Sequence, residues 1–181
     1  MTMQDDILMA GFGGQGIMLM GQMLASAGMK DGKNVSWMPS YGPEQRGGTA
    51  NCGVVLSDDP VGSPVVSEPT ICVVMNLPSL DKFKDRVKEG GYLFVNSSLI
   101  EEEVDRTDIN VIYLPVTEKA DELGNPRVAN MIMLGAMSEA TDVIDLDVLK
   151  DILSEVLPER RHNLIPANIE ALDLGKDLVS E

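Results

Sequence analysis

The stretch Asp6–Gln22, DILMAGFGGQGIMLMGQ, decides how the rest of the chain is arranged. A short apolar run, Ile7–Ala10, precedes six residues of which four are glycine, and a second apolar run follows. The first run is typical of a buried strand, and the longer run that begins at Ile17 is typical of a helix packed on a sheet. The stretch therefore predicts a strand, a tight turn at Gly11–Gly16 and a helix.

The glycines of this turn indicate that it binds something. Each glycine inside a helix or strand costs roughly 0.5–1 kcal/mol relative to alanine, so a cluster of them needs a reason. Glycine allows a positive φ and lets a ligand approach where a Cβ would clash. The N–H groups near Gly14–Ile17 would point at a ligand above the turn, and the helix dipole favours an anion there.

Length and composition indicate one domain spanning residues 1–181. A chain of 181 residues with 44% hydrophobic content can bury one substantial core, and we find no internal repeat or linker in it. The acidic N-terminal residues lack the basic region of a secretory signal. No apolar run approaches the roughly 18–20 residues that span a bilayer. We therefore expect a cytoplasmic protein.

Charge and cysteine content argue against several classes of protein. The formal net charge of −15 argues against nucleic acid or an anionic membrane as a partner. The two cysteines, Cys52 and Cys72, lie in apolar segments without metal-ligand spacing, and they are too few for a four-cysteine iron–sulfur cluster. We expect both to be buried free thiols, and we expect no metal site.

The rest of the chain alternates predicted strands with predicted helices. This alternation predicts an α/β fold, a three-layer α/β/α Rossmann-like single domain with a largely parallel or mixed sheet. Further strands are predicted at 35–38, ending at Pro39, and at 50–57, 71–75, 92–96 and 111–114. Helices are predicted at 17–29, 76–88, 117–123, 128–141, 145–157 and 166–179.

The predicted helix 128–141 is apolar on every side, so it lies in the core of this chain or is buried by another chain. The second arrangement would permit a homodimer of the isolated chain. Asn130 is the polar exception, and a buried amide without a partner would cost roughly 1–3 kcal/mol. A structural hydrogen bond to a neighbouring loop and a contact with a ligand would both satisfy it. The sequence leaves these two possibilities open.

The segment Ser40–Thr49 is a second candidate for binding. Its glycines imply tight backbone geometry rather than a flexible linker. Arg46 is the only basic residue between Lys33 and Lys82, and a guanidinium binds phosphate or carboxylate through paired hydrogen bonds. Arg46 is therefore either an anion clamp or the partner of Glu44 or another acid in a salt bridge.

The glycine turn has the G-x-G-x-x-G spacing of dinucleotide-binding folds. In such folds an acid at the end of the second strand binds the ribose hydroxyls, whereas Met38, Pro39 and Ser40 occupy that place here, which argues against NAD. The lysine and the serine or threonine of a phosphate-binding P-loop are also missing, which argues against ATPase or GTPase chemistry. The residues predict a bound ligand and no machinery that transforms it.

Two segments together carry a family resemblance: Gly11–Gly16, and Tyr41–Gly48 with the sequence YGPEQRGG. With them, and with the segments 130–135 and 168–175, the chain resembles the gamma subunit, or gamma domain, of the 2-oxoacid:ferredoxin oxidoreductases over essentially its whole length. That family includes the pyruvate, 2-oxoglutarate, 2-oxoisovalerate and indolepyruvate oxidoreductases. The second segment is the more specific of the two.

The resemblance implies a role in a multi-subunit enzyme. In this family thiamine diphosphate, held with Mg²⁺ by alpha and beta subunits, decarboxylates a 2-oxoacid. Iron–sulfur clusters in the beta and delta components carry electrons to ferredoxin, and coenzyme A takes the acyl group. The resemblance therefore implies an accessory chain that binds none of these cofactors alone, is inactive in isolation and helps to position coenzyme A.

The resulting hypothesis assigns phosphates of coenzyme A to the glycine turn and Arg46, with Tyr41–Gly48 forming either part of that pocket or a subunit interface. Two rival hypotheses are a stand-alone nucleotide- or flavin-binding oxidoreductase and a purely structural subunit. We predict no catalytic or metal-binding residue. The candidate cofactor-binding residues are Gly11, Gly13, Gly14, Gln15, Gly16, Tyr41, Gly42, Pro43, Glu44, Arg46, Gly47, Gly48 and Asn130.

Overall fold

A computed structural model describes residues 3–41 and 49–180 of the chain, with the side chain of Tyr41 left out. The strands of the described part are β1 (Gln4–Phe12), β2 (Asn34–Tyr41), β3 (Thr49–Ser57), β4 (Ile71–Val74), β5 (Tyr92–Asn96) and β6 (Asn110–Leu114). They form one sheet in the order β2-β3-β1-β4-β5-β6. Strands β1, β4, β5 and β6 run parallel, while β3 runs antiparallel to both of its neighbours. The sheet is therefore mixed.

Helices cover both faces of this sheet, as the alternation of elements predicted. One core cluster joins the sheet to α1, α3, α4, α5, α6 and α7, and a second cluster joins the opposite face to α2 and nearby loops. The three-layer α/β/α arrangement is confirmed. The helices are α1 (Ile17–Lys30), α2 (Leu77–Phe83), α3 (Val116–Glu122), α4 (Ala129–Thr141), α5 (Leu146–Asp151), α6 (Leu153–Val156) and α7 (Ile165–Ser180).

The order of the strands places a topological switch point at the carboxyl ends of β1 and β4. From β1 the chain passes through α1 to β2 and β3 on one side of the sheet, whereas β4, β5 and β6 lie on the other side. Ligands of open α/β sheets bind outside the carboxyl ends of the strands at such a switch point. The glycine turn directly follows β1 and lies at this switch point.

The prediction that the second strand ends at Pro39 is wrong, because β2 continues through Pro39 to Tyr41. This strand is at the edge of the sheet and pairs only with β3. On an edge strand every second N–H group faces away from the sheet, so proline can occupy such a position without breaking the ladder. Ser40 and Thr49, predicted in a loop, are likewise strand residues.

Two predicted helices are shorter than expected. Helix α2 begins with Asn76 as its N-cap and Pro78 in its first turn, but it ends at Phe83, short of the predicted residue 88, and continues as a single 3₁₀ turn, Lys84–Arg86. The helix predicted at 145–157 is divided at Ile152 into α5 and α6. Ile152 itself is fully buried, so the division keeps the apolar side of both pieces on the core.

Helix α4 is buried continuously from Asn130 to Ser138, and α7 covers it. The two helices approach until their backbones touch: a Cβ at Gly135 would collide with the Leu172 carbonyl, and a Cβ at Gly175 would collide with the Ile132 carbonyl. The apolar helix therefore lies in the core of its own chain. It therefore does not form the exposed apolar surface that a homodimer through this helix would need.

Both cysteines are buried free thiols, as predicted. Cys52 lies in the core cluster on the α1 side of the sheet and Cys72 in the cluster on the α2 side, and burial raises the pKa of each thiol to about 12. Within residues 3–41 and 49–180, no three His, Cys, Asp or Glu side chains group as metal ligands would. Among the same residues no helix combines the length and the apolar character needed to cross a membrane.

Candidate functional site

The glycine turn joins β1 to the N-terminus of α1 in an unusual backbone conformation. Gly14 has φ +95° and Gly16 has φ +74°, both in the region that favours glycine. Gly16 is the N-cap of α1 and, as a glycine, has no side chain with which to cap the helix, whose first turn contains no acid. The first N–H groups of a helix have no partner within the helix, so those of α1 are available to an acceptor from outside it.

The four glycines of the turn serve two different purposes. A Cβ at Gly11 would lie 2.6 Å from Gln15 Oε1 and 3.0 Å from Met75 Cβ, and a Cβ at Gly16 would collide with the side chain of Asn130. A Cβ at Gly13 or Gly14 would meet nothing within 4 Å. Gly11 and Gly16 therefore make room for the protein's own side chains, while Gly13 and Gly14 have no described residue where a Cβ would stand.

Gln15 bonds to the backbone with both ends of its amide. Its Oε1 accepts from the Phe12 N–H at 2.6 Å, and its Nε2 donates to the Met75 carbonyl at 3.2 Å. The side chain thus joins the end of β1 to the residue that follows β4. Gln15 is one of the predicted cofactor-binding residues, and in the structure its amide links these two backbone segments.

Asn130 makes the structural hydrogen bond that was one of its two predicted roles. From the first turn of α4 its Nδ2 donates to the Gly16 carbonyl at 3.3 Å, while its Oδ1 accepts from the Met131 N–H at 3.0 Å. The residue is only 4% exposed. Asn130 therefore stabilises the turn from the buried side, through the Gly16 carbonyl, and presents little surface to a ligand.

Sequence reasoning missed a group of polar residues at the ends of the neighbouring strands. Asn96, at the end of β5, is fully buried and donates from Nδ2 to the Met75 carbonyl at 3.2 Å and to Thr117 Oγ1 at 2.9 Å. Asn76 follows β4 and caps α2 by accepting from the Ser79 N–H at 3.0 Å. Both asparagines come directly after apolar strand residues, and that position was the signal available in the sequence.

Two of these buried groups have spare hydrogen-bonding capacity. Asn76 Nδ2 and Ser79 Oγ are buried without a hydrogen-bond partner in the described part of the chain. An unpaired buried polar group costs roughly 1–3 kcal/mol, which is a common reason for a protein to hold an ordered water there. The carboxyl edge of the sheet is therefore rich in uncharged polar groups.

In the described part of the chain, the side chains that contact the turn include the amides of Gln15 and Asn130 and the apolar groups of Ile17 and Met75. Amides donate and accept hydrogen bonds but do not take up a proton near neutral pH and are not nucleophiles. These amides are engaged within the protein, whereas the N–H groups at the start of α1 suit an anionic ligand.

Six of the predicted site residues lie outside the described residues: Gly42, Pro43, Glu44, Arg46, Gly47 and Gly48. The strand residues that flank them are described. Tyr41 pairs with Ala50, which pairs with Gly11, and Thr49 pairs with Phe12. The described strand ends that flank residues 42–48, Tyr41 and Thr49, therefore lie beside the start of the glycine turn.

Residues 6–178 match the model of the pyruvate ferredoxin/flavodoxin oxidoreductase family. The chain belongs to this family. The resemblance found in Gly11–Gly16 and Tyr41–Gly48 is thereby confirmed.

A related protein is the ketoisovalerate oxidoreductase subunit VorA of Methanothermobacter marburgensis, to which the chain is 39% identical over 172 residues. The match covers 94% of this chain and 36% of VorA. The chain thus spans about a third of the length of that relative.

Two solved structures share the fold. The gamma subunit of the keto/oxoacid ferredoxin oxidoreductase from Geobacter sulfurreducens matches with a TM-score of 0.86 and 28% identity, over 98% of this chain and 97% of that one. The 2-oxoglutarate:ferredoxin oxidoreductase from Magnetococcus marinus, solved with 2-oxoglutarate, coenzyme A and succinyl-CoA bound, matches with a TM-score of 0.87 and 26% identity. That match covers 98% of this chain and 31% of the other. The domain therefore occurs both as a chain of its own and as a part of longer chains.

Proposed function

We propose that this chain is the gamma-type accessory subunit of a 2-oxoacid:ferredoxin oxidoreductase that converts a 2-oxoacid to an acyl-coenzyme A. Alpha, beta and delta components are its proposed partners, and they hold thiamine diphosphate with Mg²⁺ and the iron–sulfur clusters that reduce ferredoxin. The similarity to a free-standing gamma subunit along 97% of its length supports this assignment. We expect the isolated chain to be inactive.

The residues of this chain do not fit an iron–sulfur cluster. A [4Fe–4S] or [2Fe–2S] cluster commonly needs four cysteine thiolates as ligands, and the chain has two cysteines. These two lie on opposite faces of the sheet, and burial raises the pKa of each to about 12, which keeps the thiols protonated. We therefore assign electron transfer to the partner subunits.

The residues do fit a phosphate group of coenzyme A at the glycine turn. The observation that carries this proposal is that, among the described residues, nothing lies within 4 Å of a Cβ at Gly13 or Gly14, next to the N-terminus of α1, where the N-cap is a glycine. Backbone N–H groups at a helix start bind phosphate through hydrogen bonds that the charge of the ligand strengthens. Arg46 would add a guanidinium from the neighbouring segment. Held by its phosphates, coenzyme A would be oriented for acyl transfer in a partner subunit.

Gly13→Ala tests this assignment in the assembled complex. The new methyl group would stand where a phosphate approaches, so we expect the KM for coenzyme A to rise about tenfold or more, the loss expected for one charge-assisted hydrogen bond. The matched control is Gly62→Ala, because a Cβ at Gly62 also meets nothing within 4 Å and its φ needs no glycine. We expect the control to keep the wild-type KM.

Arg46→Ala tests the second segment in the same assay. A raised KM for coenzyme A would support the anion clamp, and an unchanged KM would remove Arg46 from that role. If Gly13→Ala and Arg46→Ala instead prevent assembly of the complex, the turn forms a subunit interface and the chain is structural. Binding of NAD, FAD or FMN by the purified chain would instead favour a stand-alone oxidoreductase.

A further inference from the structure

We propose that Asn96, at the end of β5, is a positioning residue for the glycine turn and that it acts through Met75 and Gln15. Thr117 in α3 sets the orientation of the Asn96 side chain. Asn96 is buried and makes no hydrogen bond to the turn itself. Its effect on coenzyme A rests on the proposed function, whereas its effect on the shape of the turn does not.

The Met75 carbonyl is the point at which the hydrogen bonds converge. It accepts from Gln15 Nε2 and from Asn96 Nδ2, both at 3.2 Å, so two side-chain amides use the two lone pairs of one oxygen. The N–H group of Met75 donates to the Ala10 carbonyl at 2.9 Å, which fixes Met75 to β1. Met75 is thereby held between β1, the turn and β5.

Gln15 transmits the position of Met75 to the turn. One end of its amide bonds to Met75 and the other accepts from the Phe12 N–H at 2.6 Å. The amide reaches this position only because Gly11 has no Cβ, since one there would lie 2.6 Å from Oε1. The turn is short, so a shift of Met75 moves Gln15 and with it the N–H groups that follow.

The orientation of Asn96 is determined at both ends of its amide. Its Oδ1 accepts from the Ser98 N–H at 3.3 Å, which fixes which atom of the amide is oxygen. The two N–H bonds of Nδ2 then point at the Met75 carbonyl and at Thr117 Oγ1, 2.9 Å away. Thr117 lies in the first turn of α3, so the packing of this helix is coupled to the glycine turn.

Such a chain of hydrogen bonds would prepare the turn for its ligand. A site that already has its bound shape spares the ligand the cost of ordering it. Removing the Thr117 hydroxyl would leave an N–H group of Asn96 unpaired and free the amide to rotate away from Met75. The turn would then sample shapes in which its N–H groups diverge.

Thr117→Val tests the coupling at a distance from the ligand, because valine keeps the shape of threonine and lacks its hydroxyl. In the full-length chain without coenzyme A, we expect the amide hydrogens of Phe12 and Gln15 to exchange about fivefold faster, the factor for one lost hydrogen bond of about 1 kcal/mol. Thr117→Ser keeps the hydroxyl and should exchange at the wild-type rate. Gln15→Met, which removes both bonds of Gln15, should speed the same two amides further.

The outcomes separate this proposal from the proposed function. Unchanged exchange in Thr117→Val would overturn the positioning role of Asn96, whatever the exchange in Gln15→Met, as would an equal acceleration in α5, which would indicate general destabilisation. In the assembled complex we expect Thr117→Val to raise the KM for coenzyme A and to leave kcat unchanged. Faster amide exchange with an unchanged KM for coenzyme A would support the positioning of the turn by Asn96 and would contradict the binding of coenzyme A at the turn.

Discussion

At the scale of single residues, the sequence predicted where the turn lies but not what each of its residues does. Four glycines between an apolar strand and an apolar helix indicate a tight turn, and the turn is there. Gly11 and Gly16 are required by Gln15 and Asn130, and Asn130 is more than a hundred residues distant in the chain. Local patterns do not contain such distant contacts, so the two kinds of glycine look alike in the sequence.

The same limit applies to Asn96 and Thr117. An asparagine after an apolar run marks the end of a strand, but its hydrogen bonds depend on which strands become neighbours. Strands β4 and β5 are adjacent in the sheet, and α3 starts close to the end of β5. Only the assembled sheet brings these residues to the turn.

Because of Cys72, the free energy of unfolding should decrease as the pH rises in the alkaline range. Burial raises its pKa to about 12, above the value of 9.0 for a free thiol, so the unfolded chain loses this proton first as the pH rises. The stability contributed by the neutral thiol is complete below about pH 9 and is lost as the pH rises towards 12. Urea unfolding between about pH 8 and pH 11 should show a decline that is shallower in Cys72→Ala, by at most roughly 1.4 kcal/mol per pH unit. Equal slopes in the two proteins would contradict the burial argument.

At the scale of elements, the sequence predicted most strands and helices, and the errors have physical causes. Pro39 lacks an N–H group and predicts the end of the second strand. At the edge of a sheet, however, a proline can stand where the N–H group would face away from the neighbouring strand, so β2 continues through it. The apolar character of 128–141 correctly indicated a buried helix. The sequence does not show whether α7 or another chain buries this helix. The fold shows that α7 does, because Gly135 of α4 and Gly175 of α7 let the two backbones come into contact.

Gly175→Ala should destabilise the chain despite the higher helix propensity of alanine. The new Cβ would meet the backbone of α4 at Ile132 and Ala136, which cannot rotate away, so the helices would have to separate. Gly28→Ala is the matched control, because a Cβ there meets chiefly the side-chain end of Leu56, which can move. In denaturant unfolding we expect Gly175→Ala to lose about 1–3 kcal/mol more than Gly28→Ala. Similar stabilities would show that α4 and α7 are not tightly apposed.

At the scale of the whole molecule, regular alternation of strand and helix was sufficient to predict the layers. The antiparallel pairing of β3 was not among the predictions, although the connection from β2 to β3 is shorter than the crossover that a parallel pair needs. For the site, the pairing of Tyr41 with Ala50 and of Ala50 with Gly11 supports the expectation that the two motif segments belong together. The assignment of Arg46 stays a prediction, since it lies outside the described residues.

The central claim is that this chain works as the gamma-type subunit of a 2-oxoacid oxidoreductase. Its most direct test is to purify the tagged chain from cells that produce it naturally and to assay the purified material for reduction of ferredoxin. We predict reduction that requires both a 2-oxoacid and coenzyme A, and that is lost when the tagged chain is stripped from its partners. A chain that purifies alone, or whose associated proteins show no such activity, would contradict the claim.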